Sequence, residues 1–412
     1  MFGRVVLVAL CLLSTGCRGD TQDVLTFSGS AVGREADVLR TQLARFSASR
    51  GIHVEIRPTP DSADQRHQLY VQWLNAHSAD PDVLQLDVVW TPEFAAAGWL
   101  LPFDRFTPRT ADFFPAAIAA NTWDGTLFGL PWFIDVGMLY WRTDLLDAAP
   151  RSFEALTAAA VALQERSAVT HGLVLQAARY EGLITVFVEV LGGFGGRILD
   201  EAGAVVVDSV SSVNALTWMR DSIHVRGIVP GAALTWQEEQ TRFAFQNGTA
   251  AMMRNWPYAY ALLESADSPV AGKFAVAPMP AAAGGEPTGA LGGSQLAINA
   301  RTAQPDEAWA LIEFLTAPEQ MIERARVVGQ FPSRRSPYDG NALEAALGTA
   351  PAEARRIVEA AEARPVTPVY TQLSEILQIR LHRVLTRQQE PRPALEEAAR
   401  EMRALLSRVG LH

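Results

Sequence analysis

Residues 81 to 90 read Pro-Asp-Val-Leu-Gln-Leu-Asp-Val-Val-Trp, an apolar run opened by a proline and interrupted at Asp87. The run predicts a strand over Asp82 to Trp90, since it is rich in aliphatic and β-branched residues and too short for a helix. Upstream, Gln65 to His77 has helical spacing and Ile52 to Ile56 alternates as a strand. Asp37 to Ser49 places Val38, Leu39, Leu43 and Phe46 on one helical face, and Val24 to Ser28 is a short strand. Strand, helix, strand, helix, strand within about 70 residues predicts a parallel sheet with helices on its faces. Ligands of such sheets bind beyond the carboxyl ends of the strands, where Glu35 and Asp87 both fall.

Downstream the pattern restarts. Helices are predicted at Phe153 to Glu165, Glu181 to Leu191, Val210 to His224 and Gln237 to Gln246, with strands at Leu173 to Gln176, Ala250 to Arg254, Phe274 to Met279 and Leu296 to Asn299. Gly192 to Gly196 with Asp200 to Gly203 reads as a turn-rich hairpin region, and Gly284-Gly285-Glu286-Pro287 as a loop. The remaining helices are predicted at Asp306 to Thr316, Pro318 to Val327, Ala342 to Gly348, Pro351 to Ala363, Thr371 to Thr386 and Pro393 to Val409. A chain of 412 residues exceeds what one core usually serves, so two lobes are expected. Hydrophobic content of 49% with 19% charged residues describes a folded chain. The formal charge is −10, and no Lys/Arg stripe is present, which argues against nucleic acid as partner.

Two aromatic clusters carry the candidate chemistry. Leu130 to Trp141 reads Leu-Pro-Trp-Phe-Ile-Asp-Val-Gly-Met-Leu-Tyr-Trp, rings around a lone carboxylate, Asp135; Met252 to Tyr260 contains Trp256 and Tyr258 and follows the acidic pair Glu238 and Glu239. Flat rings stack on the C–H face of a pyranose while carboxylates accept from its hydroxyls, so the pairing fits a sugar gripped between two bodies of one chain. Core packing is the competing reading for the rings, and a solvated helix face for Glu238. Tyr140 and Trp141 are assigned to the core.

The N-terminus indicates export. Arg4 precedes Val-Val-Leu-Val-Ala-Leu-Cys-Leu-Leu, of signal-peptide length and too short to span a bilayer. Ser-Thr-Gly-Cys follows and resembles a bacterial lipobox, with Leu13 one place early and Ser14 in the usual Leu position. Cys17 would then be acylated and residues 18 to 23 would form a tether; ordinary cleavage is the alternative. Cys11 is the only other cysteine, so the mature chain has no internal disulfide.

The order of the 81–90 run, Ala-Gly-Trp-Leu-Leu-Pro-Phe-Asp (97 to 104), Gly-Leu-Pro-Trp-Phe-Ile-Asp-Val-Gly-Met-Leu-Tyr-Trp-Arg-Thr-Asp-Leu-Leu (129 to 146), Phe-Gln-Asn-Gly-Thr-Ala-Ala-Met (245 to 252) and Gly-Gly-Ser-Gln-Leu-Ala-Ile-Asn (292 to 299) resembles the extracellular solute-binding proteins of sugar ABC transporters. Within them it is most similar to the trehalose/maltose-binding proteins, from about Val24 onward. The resemblance implies an α/β, two-lobed periplasmic-binding-protein fold of type II, with a ligand cleft between lobes joined by crossing strands. It implies a signal peptide over 1–16, lipidated Cys17 and tether over 17–23, lobe I over 24–135, lobe II over 136–292, a lobe I return over 293–332, and C-terminal helices over 333–412, mainly on lobe II. Crossings are expected near Val136 to Leu139 and near Gly293 to Asn299.

It also implies roles. Glu35, Asp87 and Asp135 would accept from sugar hydroxyls, Trp256 would be the stacking platform with Tyr258 and Glu238 beside it, and Arg364 would donate to the sugar. Trp132 and Phe133 would line the cleft wall, and Gly292 and Gly293 would let backbone approach the ligand. Ser294 stands where trehalose/maltose-like proteins often carry Trp, which removes one stacking surface. The expected partners are a sugar and a membrane permease, for a monomer held to the outer face of the cell membrane by its lipid.

Carboxylates near rings also occur in glycoside hydrolases, so an enzyme is the alternative, and a receptor for a non-sugar polar solute is another. The chain lacks Gly-x-Ser-x-Gly, His-Glu-x-x-His, a P-loop and Cys/His metal spacing, and its seven histidines are scattered. No catalytic residue, metal or cofactor is therefore expected.

Overall fold

The computed structural model describes residues 24–29, 34–60, 62–343 and 346–410. The expected signal peptide, Cys17 and its tether lie outside the described residues. β1 (Leu25–Gly29), α1 (Arg34–Arg50), β2 (Val54–Pro58), α2 (Ala63–Asn75) and β3 (Val83–Asp87) follow in the predicted order. β1 lies between β2 and β3 and parallel to both, the arrangement that two helical crossovers impose.

The parallel expectation, made for these three strands, is borne out, and the rest of the large sheet is mixed. Gly289–Ile298 joins the same sheet antiparallel to β3, Gly129–Val136 lies antiparallel to it in turn, and Phe331–Pro332 forms the far edge. Gly289–Ile298 enters from the other half of the molecule and Gly129–Val136 leaves toward it, so no local crossover fixes their direction. A second sheet holds Phe274–Pro278, Met138–Arg142, Ala250–Asn255 and His171–Val174 in that order.

Gly137 alone separates Val136, in the large sheet, from Met138, in the small one. A Cβ at Gly137 would lie 1.8 Å from Glu189 Oε1, so only glycine fits this passage. The return passage falls between Pro278 and Gly289, ahead of the expected Gly293 to Asn299. The expected strand at Leu296 to Asn299 begins earlier than the sequence indicates, because Gly292 and Gly293 lie inside a strand of 10 residues. Two further expectations are corrected. Pro351 to Ala363 ends its helix at Glu359, and Ala361–Glu362 pairs parallel with Gly289 and Ala290 instead, tertiary pairing overriding helical spacing. The described part of Ala342 to Gly348 is a 3-10 turn, Asn341–Leu343, with a left-handed Gly348 that stops a helix.

The core divides as the sheets do. Phe27, Phe46, Trp132 and Ile312 pack under the large sheet. Phe187, Val190 and Leu216 pack with Leu373, Leu377 and Leu381 of Tyr370–Leu385 and with Leu395 and Met402 of Pro391–Arg408. Each such buried side chain contributes roughly 1.5–3 kcal/mol, which fixes both C-terminal helices to the small-sheet half. Val136, Met138, Leu291 and Phe331 form a third cluster beneath the passages, so the halves share an apolar floor. Among the described residues no helix is long and apolar enough to cross a membrane.

Candidate functional site

Asp135 is the penultimate residue of Gly129–Val136, one turn of chain before the passage at Gly137. Its Oδ1 is buried and finds no hydrogen-bond partner among the described residues. Burial first, then the charges of Glu35 and Asp87, push its carboxyl up to about 7, against the opposing pull of Arg324 and Arg254. Three carboxylates predicted from sequence, Asp87 and Asp135 near strand ends and Glu35 in the first turn of α1, are therefore close enough for their charges to act on Asp135.

Each is held differently. Glu35, in the first turn of α1, accepts from Gln330 Nε2 at 3.2 Å. Asp87 ends β3; its Oδ1 accepts from Val89 N and from Arg364 Nη2, each at 3.3 Å. Arg364 is buried and its Nη1 reaches Glu181 Oε1 at 2.6 Å, while Nε finds no hydrogen-bond partner among the described residues. It thus bridges Asp87 in the large-sheet half to Glu181 on Glu181–Gly193, which packs in the small-sheet half. Tyr370 OH and Ser374 Oγ also donate to Glu181. Burial disfavours the Arg364 charge, yet Tyr370, Asp87 and Glu181 hold its guanidinium above the usual range.

Trp256 follows Ala250–Asn255 and comes from the other half. A Cβ at Gly292 would sit 3.2 Å from Trp256 Cζ3, so the indole edge lies over Gly292, whose register partner is Asp135. Its Nε1 points to Glu238 Oε1 at 3.4 Å, which takes Glu238 off the solvated helix face and into the ring's surroundings. Tyr258 donates to Glu239 at 2.8 Å, and burial followed by Glu239 pushes its phenol far above the ordinary value.

Four expectations shift. Trp132 is not cleft wall: it is 1% exposed, packed edge-on to Phe27, and covered by the Arg324 guanidinium at 4.0 Å. Phe133 is likewise buried, with the same guanidinium 5.5 Å away. The cause is a bulge: Ser294 pairs with Phe133 and Gln295 with Pro131, leaving Trp132 without a partner and breaking the alternation of faces. Gly293 has φ +106°, and a Cβ there would lie 2.2 Å from the Phe133 carbonyl oxygen, so it serves the bulge and not a ligand. Ser294 is buried and its hydroxyl accepts from Gln85 Nε2 at 2.9 Å, within the sheet.

Sequence reasoning missed Arg324 and Gln330. Arg324 Nε and Nη2 both donate to Gln330 Oε1, at 2.9 and 2.6 Å, and Nη1 has no hydrogen-bond partner among the described residues. Burial lowers Arg324 to about 10 although Glu35 and Asp135 oppose this. Among the described residues no group of His, Cys, Asp and Glu could hold a metal ion.

Two α/β halves joined by strands, with carboxylates and an indole meeting where they join, define a two-lobed binding protein. The chain belongs to the bacterial extracellular solute-binding proteins, whose family model matches residues 35–322. It is 35% identical over 390 residues to a "probable ABC transporter-binding protein" of Deinococcus radiodurans, covering 90% of this chain and 91% of that one. The solved structure of maltose-bound MalE3 of T. maritima is 40% identical, with a TM-score of 0.88 over 93% of this chain and 100% of that one. A solute-binding protein of Thermotoga lettingae bound with α-D-tagatose, 24% identical, has a TM-score of 0.83 over 93% and 99% and is alike in fold. The family and the two-lobed fold expected from sequence are thereby established. The protein is an exported substrate-binding component of ABC transport and not an enzyme.

Proposed function

We propose that the protein captures an uncharged sugar, a disaccharide or short glucan such as maltose or trehalose, by hinge closure and delivers it to a membrane permease. The observation that carries this reading is the buried, unpartnered Oδ1 of Asp135 beside Glu35 and Asp87, with the Trp256 indole across Gly292. A carboxylate oxygen in that state asks for a hydroxyl donor, and the indole offers a face to the sugar's C–H surface. The maltose-bound relative at 40% identity supports the choice of ligand class.

Charge narrows the class. Glu35, Asp87, Asp135 and Glu238 surround the site, while Arg364 is already engaged by Asp87 and Glu181 and the buried Arg324 is opposed by both Glu35 and Asp135. Negative charge predominates, so uronic acids and sugar phosphates are disfavoured. In this reading lobe I spans 24–136 and 289–332 and lobe II spans 138–278, the expected bounds at 135 and 293 moving to the passages between the sheets, with 333–412 mainly on lobe II. Glu35, Asp87, Asp135, Trp256, Tyr258, Glu238, Gly292 and Arg364 serve the ligand. Closure excludes water, and each hydrogen bond to a charged group then contributes about 1.5–3 kcal/mol.

A thermal-shift panel tests the reading. Maltose, trehalose or a longer glucan at about 100 times its Kd should stabilise the protein by roughly 2.7 kcal/mol, and glucuronate and maltose phosphate should leave it unmoved. Preference for the anionic sugars, or stabilisation by a non-sugar solute alone, would overturn it. The protein is further proposed to be a monomer anchored through acylated Cys17. Cys17→Ala should move it from the membrane to the soluble fraction; unchanged fractionation would refute the anchor.

A further inference from the structure

We infer that Glu189 and Arg254 are a positioning pair that fixes the Trp256 indole against both passages between the lobes. The inference rests on the reading of Trp256 as the sugar platform. Neither residue touches the site's ligand surface: both side chains are 0% exposed.

Arg254 leaves the small sheet on the same strand that delivers Trp256. Its Nε donates to Glu189 Oε2 at 2.8 Å, its Nη2 to Glu189 Oε1, and its Nη1 to Gln176 Oε1 at 3.2 Å. Gln176 Nε2 returns a bond to the Arg254 carbonyl at 3.3 Å, so the guanidinium plane has no freedom to turn. That plane backs the indole, its central carbon 3.9 Å from the Trp256 ring.

The same carboxylate reaches the junction. Glu189 Oε1 accepts from Ala290 N at 3.3 Å, in the return strand. On the outward passage, a Cβ at Gly137 would meet Glu189 Oε1 at 1.8 Å and Arg254 Nη2 at 2.5 Å. One pair thus abuts both connections and the back of the ring.

Stability alone is a poor explanation for such a pair. Burying two charges is costly, and apolar side chains of similar volume often serve as well or better. Glu189 stands in Glu181–Gly193, where Val186, Phe187, Val188, Val190 and Leu191 are all buried, so an aliphatic residue would suit the helix. What apolar side chains would not supply is a planar, doubly bonded fork at a fixed angle beneath the indole. Hinge geometry and ring placement are therefore set by one group of bonds.

The double variant Glu189→Leu/Arg254→Met keeps volume and removes both charges. It is expected to melt cooperatively at or above the wild-type temperature, yet to bind maltose and trehalose at least about tenfold more weakly. A ligand-free readout accompanies it: the near-ultraviolet circular dichroism of Trp256, taken as the difference between each protein and its Trp256→Phe counterpart, should lose at least about half its intensity. Arg254→Lys, which keeps the charge but not the fork, should lose that signal too, and it serves if the double variant fails to fold. An unchanged Trp256 signal, or wild-type affinity in a folded variant, would overturn the inference. Trp256→Ala is titrated alongside. Wild-type affinity there would instead remove the platform reading, while the dichroism would still report whether the pair positions the ring.

Discussion

In sugar-free buffer, Asp135→Asn is expected to melt several degrees above the wild type at pH 8 and at nearly the same temperature at pH 4. The folded protein holds the Asp135 carboxyl at about 7, against an ordinary 3.8, chiefly through burial. Between these values the folded state keeps a proton that the unfolded chain releases, so wild-type stability falls as pH rises through the window. Above pH 7 the full penalty applies, on the order of 4 kcal/mol. Asparagine carries no charge to desolvate, so the variant escapes the penalty and its melting curve should flatten across pH 4 to 8. The same variant should lose about 1.5–3 kcal/mol of sugar affinity, the worth of a hydrogen bond to a charged group. Differential scanning calorimetry across pH checks the first part; a wild type and variant with parallel pH profiles would contradict it.

Glu189→Leu alone should be the most damaging single change, costing about 3–5 kcal/mol in urea denaturation. It leaves Arg254 fully buried with Gln176 and the Trp256 face but no hydrogen-bonded counter-charge. Adding Arg254→Met should restore most of that stability. Equal stability in the single and double variants would mean that the cation finds another partner and that the pair is not closed.

The first half of the large sheet was legible because its signals are local. Val24 to Trp90 alternates between strand and helix periods, and β1, α1, β2, α2 and β3 appear where those periods change. The return strand was not legible in full, since what makes Gly292 and Gly293 extended is pairing with Asp135 and Ile134 more than 150 residues away. Asp135 could be picked out as a carboxylate among Phe133, Ile134 and Val136 with no local reason to be there. Trp132 and Phe133 could not be placed, because the bulge that turns them under Arg324 depends on the register of a distant strand. Arg324 itself lies in an amphipathic helix, Pro318–Val328, where a cation reads as solvated; only the assembled sheet buries it. Arg364 was found in sequence as a donor, but its bond to Glu181 was not, since Glu181 is merely a first-turn acid until Tyr370–Leu385 packs over it.

In the proposed function, one uncharged sugar is held where the lobes join, by Asp135 from one side and Trp256 from the other. Calorimetric titration of wild type, Asp135→Ala and Trp256→Ala with maltose, in parallel and on proteins shown to be folded, tests it directly. The wild type should show a single saturable site, and each variant should bind at least about tenfold more weakly. Three indistinguishable titrations would contradict it and place the ligand elsewhere.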